Sequence, residues 1–175
     1  MAEKTLKAIR DERLKKVEKL RSLGINPYPA SYERTHSTAQ ATKLLGKKVS
    51  VAGRLISLRS HGAISFADLK DESGQIQLFL KKELLKNNFS LVELLDIGDI
   101  VGAAGEVIKT DTGQISVAPT TLTLLTKSIR PLPSQWHGLR DIEERYRKRY
   151  LDLILNPDVR NRFNIRTQLV REVRR

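Results

Sequence analysis

The 175-residue sequence predicts a mainly β chain with helical flanks: a small five-stranded barrel between a basic N-terminal helix and a helical C-terminal stretch. Three observations lead to that reading. Apolar residues alternate with period two between residues 48 and 126, while both flanks carry helical spacing. Turn chemistry punctuates the middle, at Ser60-His61-Gly62, Asp71-Glu72-Ser73-Gly74 and Thr110-Asp111-Thr112-Gly113. Charge divides the same way: the net +12 is distributed as +7 over residues 1–48, −1 over 49–129 and +6 over 130–175.

The elements follow in order. Leu6, Ile9, Leu14, Val17 and Leu20 lie among Lys, Arg and Glu and predict a helix over 3–22, stopped by Gly24 and Asn26-Pro27-Tyr28-Pro29. Its apolar stripe is narrow, which predicts loose attachment; its basic side chains, Lys4 to Arg21, either follow phosphates or form a solvated face. Val49, Val51, Gly53 and Leu55 open a long first strand, Ile64 to Leu69 form the second and Gln75 to Leu80 the third. A helical stretch from Lys81 to about Leu95 comes next, then strands over Ile100–Lys109 and Gln114 to about Leu125. Three meandering strands, a helix and a hairpin are the order of an OB-fold, whose ligands lie outside, on the face of strands two and three. Gly53, Gly62, Gly102 and Gly105 stand where a small barrel bends or lets backbones approach. Beyond Arg130-Pro131-Leu132-Pro133, Asp141 and Glu144 predict a capping box on a helix from Ile142 to about Leu155. Asn156-Pro157-Asp158 caps another helix, which stops at Arg174-Arg175 with neither C-cap nor glycine and reads as cut from a longer chain. The divisions are therefore 1–46, 47–129 and 130–175.

Composition removes several kinds of function. With no cysteine there is no disulfide frame, thiolate nucleophile or Cys-bound zinc, and His36, His61 and His137 lack ligand-like spacing. No apolar run approaches the roughly 18 residues of a membrane span, and the charged N-terminus is no signal peptide, so a cytoplasmic setting without membrane contact is expected. No paired carboxylates, Ser/His/Asp set or phosphate-binding glycine loop appears; Gly98-Asp99-Ile100-Val101-Gly102 has no P-loop lysine. The barrel face is better supplied. Phe66 on strand two and Gln77 on strand three point the same way in a curved sheet, as a ring to stack an unpaired base and an amide to read its edge. Arg59 and His61, at the end of strand one, flank them. The plainer alternative is that Phe66 is core.

A family resemblance enters at these residues. Arg130-Pro131-Leu132-Pro133, Trp136-His137-Gly138-Leu139-Arg140-Asp141, Glu144-Arg145-Tyr146-Arg147 and Arg149-Tyr150-Leu151-Asp152-Leu153-Ile154 closely resemble class II lysyl-tRNA synthetases. Val51-Ala52-Gly53-Arg54, Ser65-Phe66, Asp71 to Gln77 and Leu125-Thr126-Lys127 look like their anticodon-binding domain; aspartyl and asparaginyl relatives share the barrel but not the connector string. The resemblance implies that the chain ends within the first helix of a missing class II catalytic domain, inside its dimerisation motif. It implies a longer homodimeric enzyme that attaches lysine to tRNA with ATP and Mg²⁺, and a fragment, monomeric or weakly dimeric, that binds the tRNA(Lys) anticodon loop with no cofactor and no catalysis of its own. With the catalytic domain absent, Leu151, Ile154 and Phe163 are expected to lose their cover.

Residue by residue, the resemblance makes Phe66 the ring that stacks on the central anticodon uridine, Gln77 the amide that reads it and Arg59 the arginine that holds it. Gln114 replaces a glutamate common in the family at the position that helps read the first anticodon base. Ala63 replaces a frequent lysine, which removes one phosphate contact. Two other functions stand beside this one. A freestanding OB module for single-stranded nucleic acid calls for a basic face with several rings, against a barrel of charge −1 with one candidate ring. A structural appendage that holds a protein partner predicts no RNA affinity.

Overall fold

A computed structural model describes residues 5–133, 139 and 141–175, in two compact units, Met1–Pro131 and Leu132–Arg175. Lys4 of the first helix, and Trp136, His137, Gly138 and Arg140 of the connector string, lie outside the described residues. In the first unit, helix α1 (Leu6–Ser22) precedes the short helix α2 (Thr38–Ala41) and strands β1 (Lys48–His61), β2 (Ile64–Lys70) and β3 (Gln75–Lys81). Helix α3 (Lys82–Leu85), a 3-10 turn (Lys86–Asn88) and helix α4 (Phe89–Leu94) lead to strands β4 (Ile100–Lys109) and β5 (Ile115–Thr126). The strands close in the order β1-β2-β3-β5-β4, the OB-fold barrel that the sequence predicts.

Alternation builds the interior. Ser65, Ala67 and Leu69 of β2 and Ile76, Leu78 and Leu80 of β3 point inward, where they meet Val51, Leu55, Val101, Val107, Val117 and Leu124. Phe89, Leu91, Val92 and Leu94 from α4 join the same core. Each of the Val, Leu, Ile and Phe side chains among them contributes about 1.5–3 kcal/mol by leaving water. The predicted helix over 81–95 is broken at Lys86, whose backbone turns to φ 47° and divides α3 from α4. At two glycines the space is decisive: a Cβ on Gly105 falls 2.1 Å from the Ala118 carbonyl oxygen, and one on Gly102 falls 2.3 Å from the Tyr32 ring. The seam of the cylinder is narrow. Antiparallel ladders join every other pair, but β3 and β5 run parallel and pair only at Gln77–Ser116 and Leu78–Val117.

Helix α1 is held more firmly than its narrow stripe implies. Val17 and Leu20 are buried, and so is Arg13, whose guanidinium donates to the Ser128 carbonyl at 2.8 Å and the Ile97 carbonyl at 3.1 Å. Beside it a buried charge cluster joins the α4–β4 turn to the end of β5. The Lys127 ammonium, fully covered, donates to Asp99 Oδ2 at 2.7 Å, Asp96 Oδ2 at 2.5 Å and the Leu94 carbonyl at 2.7 Å. Lys16 of α1 reaches Asp96 Oδ1 at 2.7 Å. Burial pushes the Asp96 carboxyl up, but the hydrogen bonds and charges of Lys127 and Lys16 outweigh it and hold the group below its ordinary value.

The second unit has helices α5 (Ile142–Arg147), α6 (Arg149–Leu155) and α7 (Pro157–Val173). The single predicted helix over 142–155 is interrupted at Lys148, which leaves helical geometry. Asp141 caps α5 by accepting from the Glu143 N–H, one residue short of the predicted capping-box partner. Asn156 does not cap α7 with its side chain; its amide donates to Asp152 Oδ1 instead, at 2.5 Å. Asp152 is the buried hub of this unit, taking Arg145 Nε at 3.0 Å and Arg149 as well. Phe163 is exposed, with the Arg149 guanidinium 5.6 Å from its ring, whereas Leu151 and Ile154 are half-buried.

Candidate nucleic-acid interface

The pleat that buries Ser65, Ala67 and Leu69 turns Ile64, Phe66, Asp68 and Lys70 outward, and on β3 it does the same for Gln75, Gln77, Phe79 and Lys81. Antiparallel register then arranges these residues in rows. Arg59 of β1 stands opposite Phe66, and Phe66 opposite Phe79. One step toward the β1–β2 turn lies the row His61, Ile64, Lys81. One step the other way lies the row Ser57, Asp68, Gln77, with Ser116 of β5 completing it. Phe66 and Gln77 therefore share the outer face as diagonal neighbours, the reach of an aromatic side chain. Phe66 is not core.

Phe66 is not alone either, contrary to the expectation of one candidate ring. Its ring and that of Phe79 stack with centroids 5.1 Å apart and planes inclined by 22°, and the Lys81 ammonium sits 4.8 Å from the Phe79 centroid. This line of ring, ring and cation crosses the sheet. Phe79 is the site residue that sequence reasoning missed. Its signal was present, since Gln75, Gln77, Phe79 and Lys81 alternate, but Leu78-Phe79-Leu80 also reads as one apolar run.

The polar groups are partly tied. Gln77 Oε1 accepts from the Ser116 hydroxyl at 2.9 Å, and Asp68 accepts from Ser57. Arg59 and His61 are exposed at the end of β1, and Gln114 is exposed where the β4–β5 turn enters β5. Because β5 runs parallel to β3 from Ser116, Gln114 lies on the side of Gln77 away from Lys81.

The β2–β3 turn that sets the spacing of this face is pinned by Asp71. Its carboxylate accepts from the Thr38 N–H at 2.9 Å, the Thr38 hydroxyl at 2.6 Å, and the Ser73 and Gly74 N–H groups at 2.7 and 3.0 Å. Burial alone pushes this carboxyl up, but the bonds from Thr38 and Ser73 prevail and lower it to about 2. Chemically, the face offers stacking surface, the amides of Gln75 and Gln77, the Arg59 guanidinium and the ammonium groups of Lys70 and Lys81, which is equipment for recognition. Among the described residues no group of three or more His, Cys, Asp or Glu is placed to hold a metal ion, and no helix is long and apolar enough to cross a membrane.

Comparison with known proteins agrees with this geometry. Residues 49–131 match the tRNA anti-codon family, described as an OB-fold nucleic acid binding domain. Over its length the chain is 47% identical to a lysine–tRNA ligase of Moorella thermoacetica, covering 99% of this chain and 36% of that protein. It is 46% identical to the Carboxydothermus hydrogenoformans enzyme of the same name, over 93% of this chain and 34% of that one. A chloroplastic/mitochondrial lysine–tRNA ligase of Arabidopsis thaliana is 42% identical, over 96% of this chain and 30% of that one. The chain thus spans about a third of the length of the curated relatives it matches.

Proposed function

We propose that this chain, which belongs to the lysine–tRNA ligase family and carries its OB-fold nucleic acid binding domain, recognises the anticodon loop of lysine tRNA through the outer face of β1, β2 and β3. The observation that carries the proposal is the alignment of Arg59, Phe66 and Gln77 on one solvent-facing surface, with Phe66 backed by Phe79. Phe66 stacks on the central anticodon base. Gln77 reads that base's edge. With Ser116 donating to Oε1, the Gln77 amide offers its NH₂ group to a base carbonyl, an arrangement that accepts uracil O4 and opposes the amine of cytosine. Arg59 and His61 hold the base or its phosphate from the β1 edge, and Gln114 meets the first anticodon base.

The divisions of labour at 1–46, 47–129 and 130–175 are proposed as helical extension, anticodon-binding domain and the start of a catalytic domain. In that reading the longer protein is a cytoplasmic homodimer that joins lysine to tRNA, and the ATP and Mg²⁺ of that reaction belong to its remaining part. The present segment selects the tRNA.

Affinity for two RNA hairpins at fixed salt tests the proposal, one with a UUU anticodon and one with UCU. The UUU hairpin is expected to bind tighter by about 1–3 kcal/mol, and Phe66→Ala to remove that preference. Equal binding of both hairpins would instead identify a sequence-indifferent single-strand binder. Absence of binding at low salt would identify a structural appendage.

A further inference from the structure

Beside the β1–β2 turn lies a cavity of about 480 Å³ lined by Gly62, Ala63, Lys82, Lys86, Asn87, Phe89, Ser90 and Glu93. It adjoins the recognition face at two points. Ala63 stands between His61 and Ile64 of the outer row, and its carbonyl accepts from the Lys82 N–H at 3.0 Å. Lys82 in turn follows Lys81, whose ammonium lies on the Phe79 ring. Two lysines, an asparagine and a serine line this cavity against a single acidic residue, Glu93, and neither Lys82 nor Lys86 forms an ion pair among the described residues. The Ser90 hydroxyl donates to the Asn87 carbonyl at 2.9 Å, which leaves the lysines and the amide as donors.

A second observation singles out Lys86. It is the one non-glycine residue with positive φ among the described residues, at φ 47° and ψ −121°. Glycine is the default there, because a Cβ makes that backbone costly. A glycine would serve the α3-to-α4 bend better and would give up only the side chain, which belongs to a residue lining the cavity. The bend therefore bears a conformational cost that a glycine would avoid.

We infer that this cavity is a binding site for a backbone phosphate of the same RNA strand, with Lys86 and Lys82 as its cations. The inference rests on the reading of the face as an RNA surface. It adds a contact that holds the strand without reading sequence, beside a face whose enclosing barrel has no net positive charge to do so.

The test uses the 175-residue chain and the two hairpins, UUU and UCU, with affinities measured across a range of salt. Lys86→Gly is expected to raise the thermal midpoint by relieving the backbone. It is also expected to weaken both hairpins alike, by several-fold at low salt, and to reduce the slope of log affinity against log salt by about one. Lys86→Arg is expected to keep affinity and slope. An unchanged slope in Lys86→Gly overturns the site, as does a loss confined to one hairpin, or a loss in Lys86→Arg as large as in Lys86→Gly. Inorganic phosphate at constant ionic strength is expected to compete in the parent chain and not in Lys86→Gly; equal competition in both also overturns the site. Phe66→Ala separates the two levels: if it leaves the UUU preference intact, the anticodon reading fails, whereas if the preference disappears and Lys86→Gly changes nothing, only the phosphate site falls.

Discussion

Two polar regions of the barrel unit use similar side chains to opposite ends. At the base, Lys127, Asp96, Asp99, Lys16 and Arg13 bond to one another and to backbone carbonyl and N–H groups. On the outer face, Gln77, Phe66 and Phe79 are held in place and Arg59 is exposed, and together they keep surface and donors to offer. A charge whose partners are all internal fastens the fold. A ring braced by another ring, with one side toward water, is ready for a ligand. The difference lies in what remains unspent after folding, and residue type alone does not reveal it.

The largest effect is expected where the inward region loses its cation. Lys127→Met leaves Asp99 buried and uncompensated, and is expected to destabilise the chain by about 3–5 kcal/mol in urea or thermal unfolding. Hairpin preference in the protein that remains folded should be retained. If preference were lost in step with stability, the two regions would not be separable. A smaller effect is expected on the outer side. Phe79→Leu removes the ring behind Phe66 and should lower hairpin affinity by about 0.5–1.5 kcal/mol, with little change in thermal midpoint. An unfolding loss exceeding the binding loss would make Phe79 a fold residue. A pH-dependent effect concerns Asp71, which stands between the regions by pinning the turn. Its folded pKa lies below the unfolded value of about 3.9, so its contribution is fully present above pH 4–5 and declines as pH falls toward 2. In Asp71→Asn the fall of the thermal midpoint between pH 5 and pH 2 should be shallower than in the parent chain.

Much of the barrel was legible because period two, turn residues and strand order are local properties. Phe66 and Gln77 were placed correctly for that reason, since both follow from the pleat. Phe79 was obscured because two leucines flank it, and an apolar run hides which face each member takes. The clamp made by Arg13 and Lys127 had no local signal at all: their partners lie about 30 to 115 positions away. Such spacing emerges only when the chain closes. The break at Lys148 and the alternative use of Asn156 have the same origin, because Asp152 draws Arg145, Arg149 and Asn156 to itself and local capping rules yield to that hub.

The parallel contact between β3 and β5 spans two residue pairs, and one of those residues is Gln77 itself. Its amide is anchored across that joint by Ser116. On the proposed reading, base discrimination and cylinder closure thus depend on one short stitch. A fluctuation that parts β3 from β5 blinds the amide before the remaining ladders are disturbed, so fidelity would fade on warming while the chain is still folded.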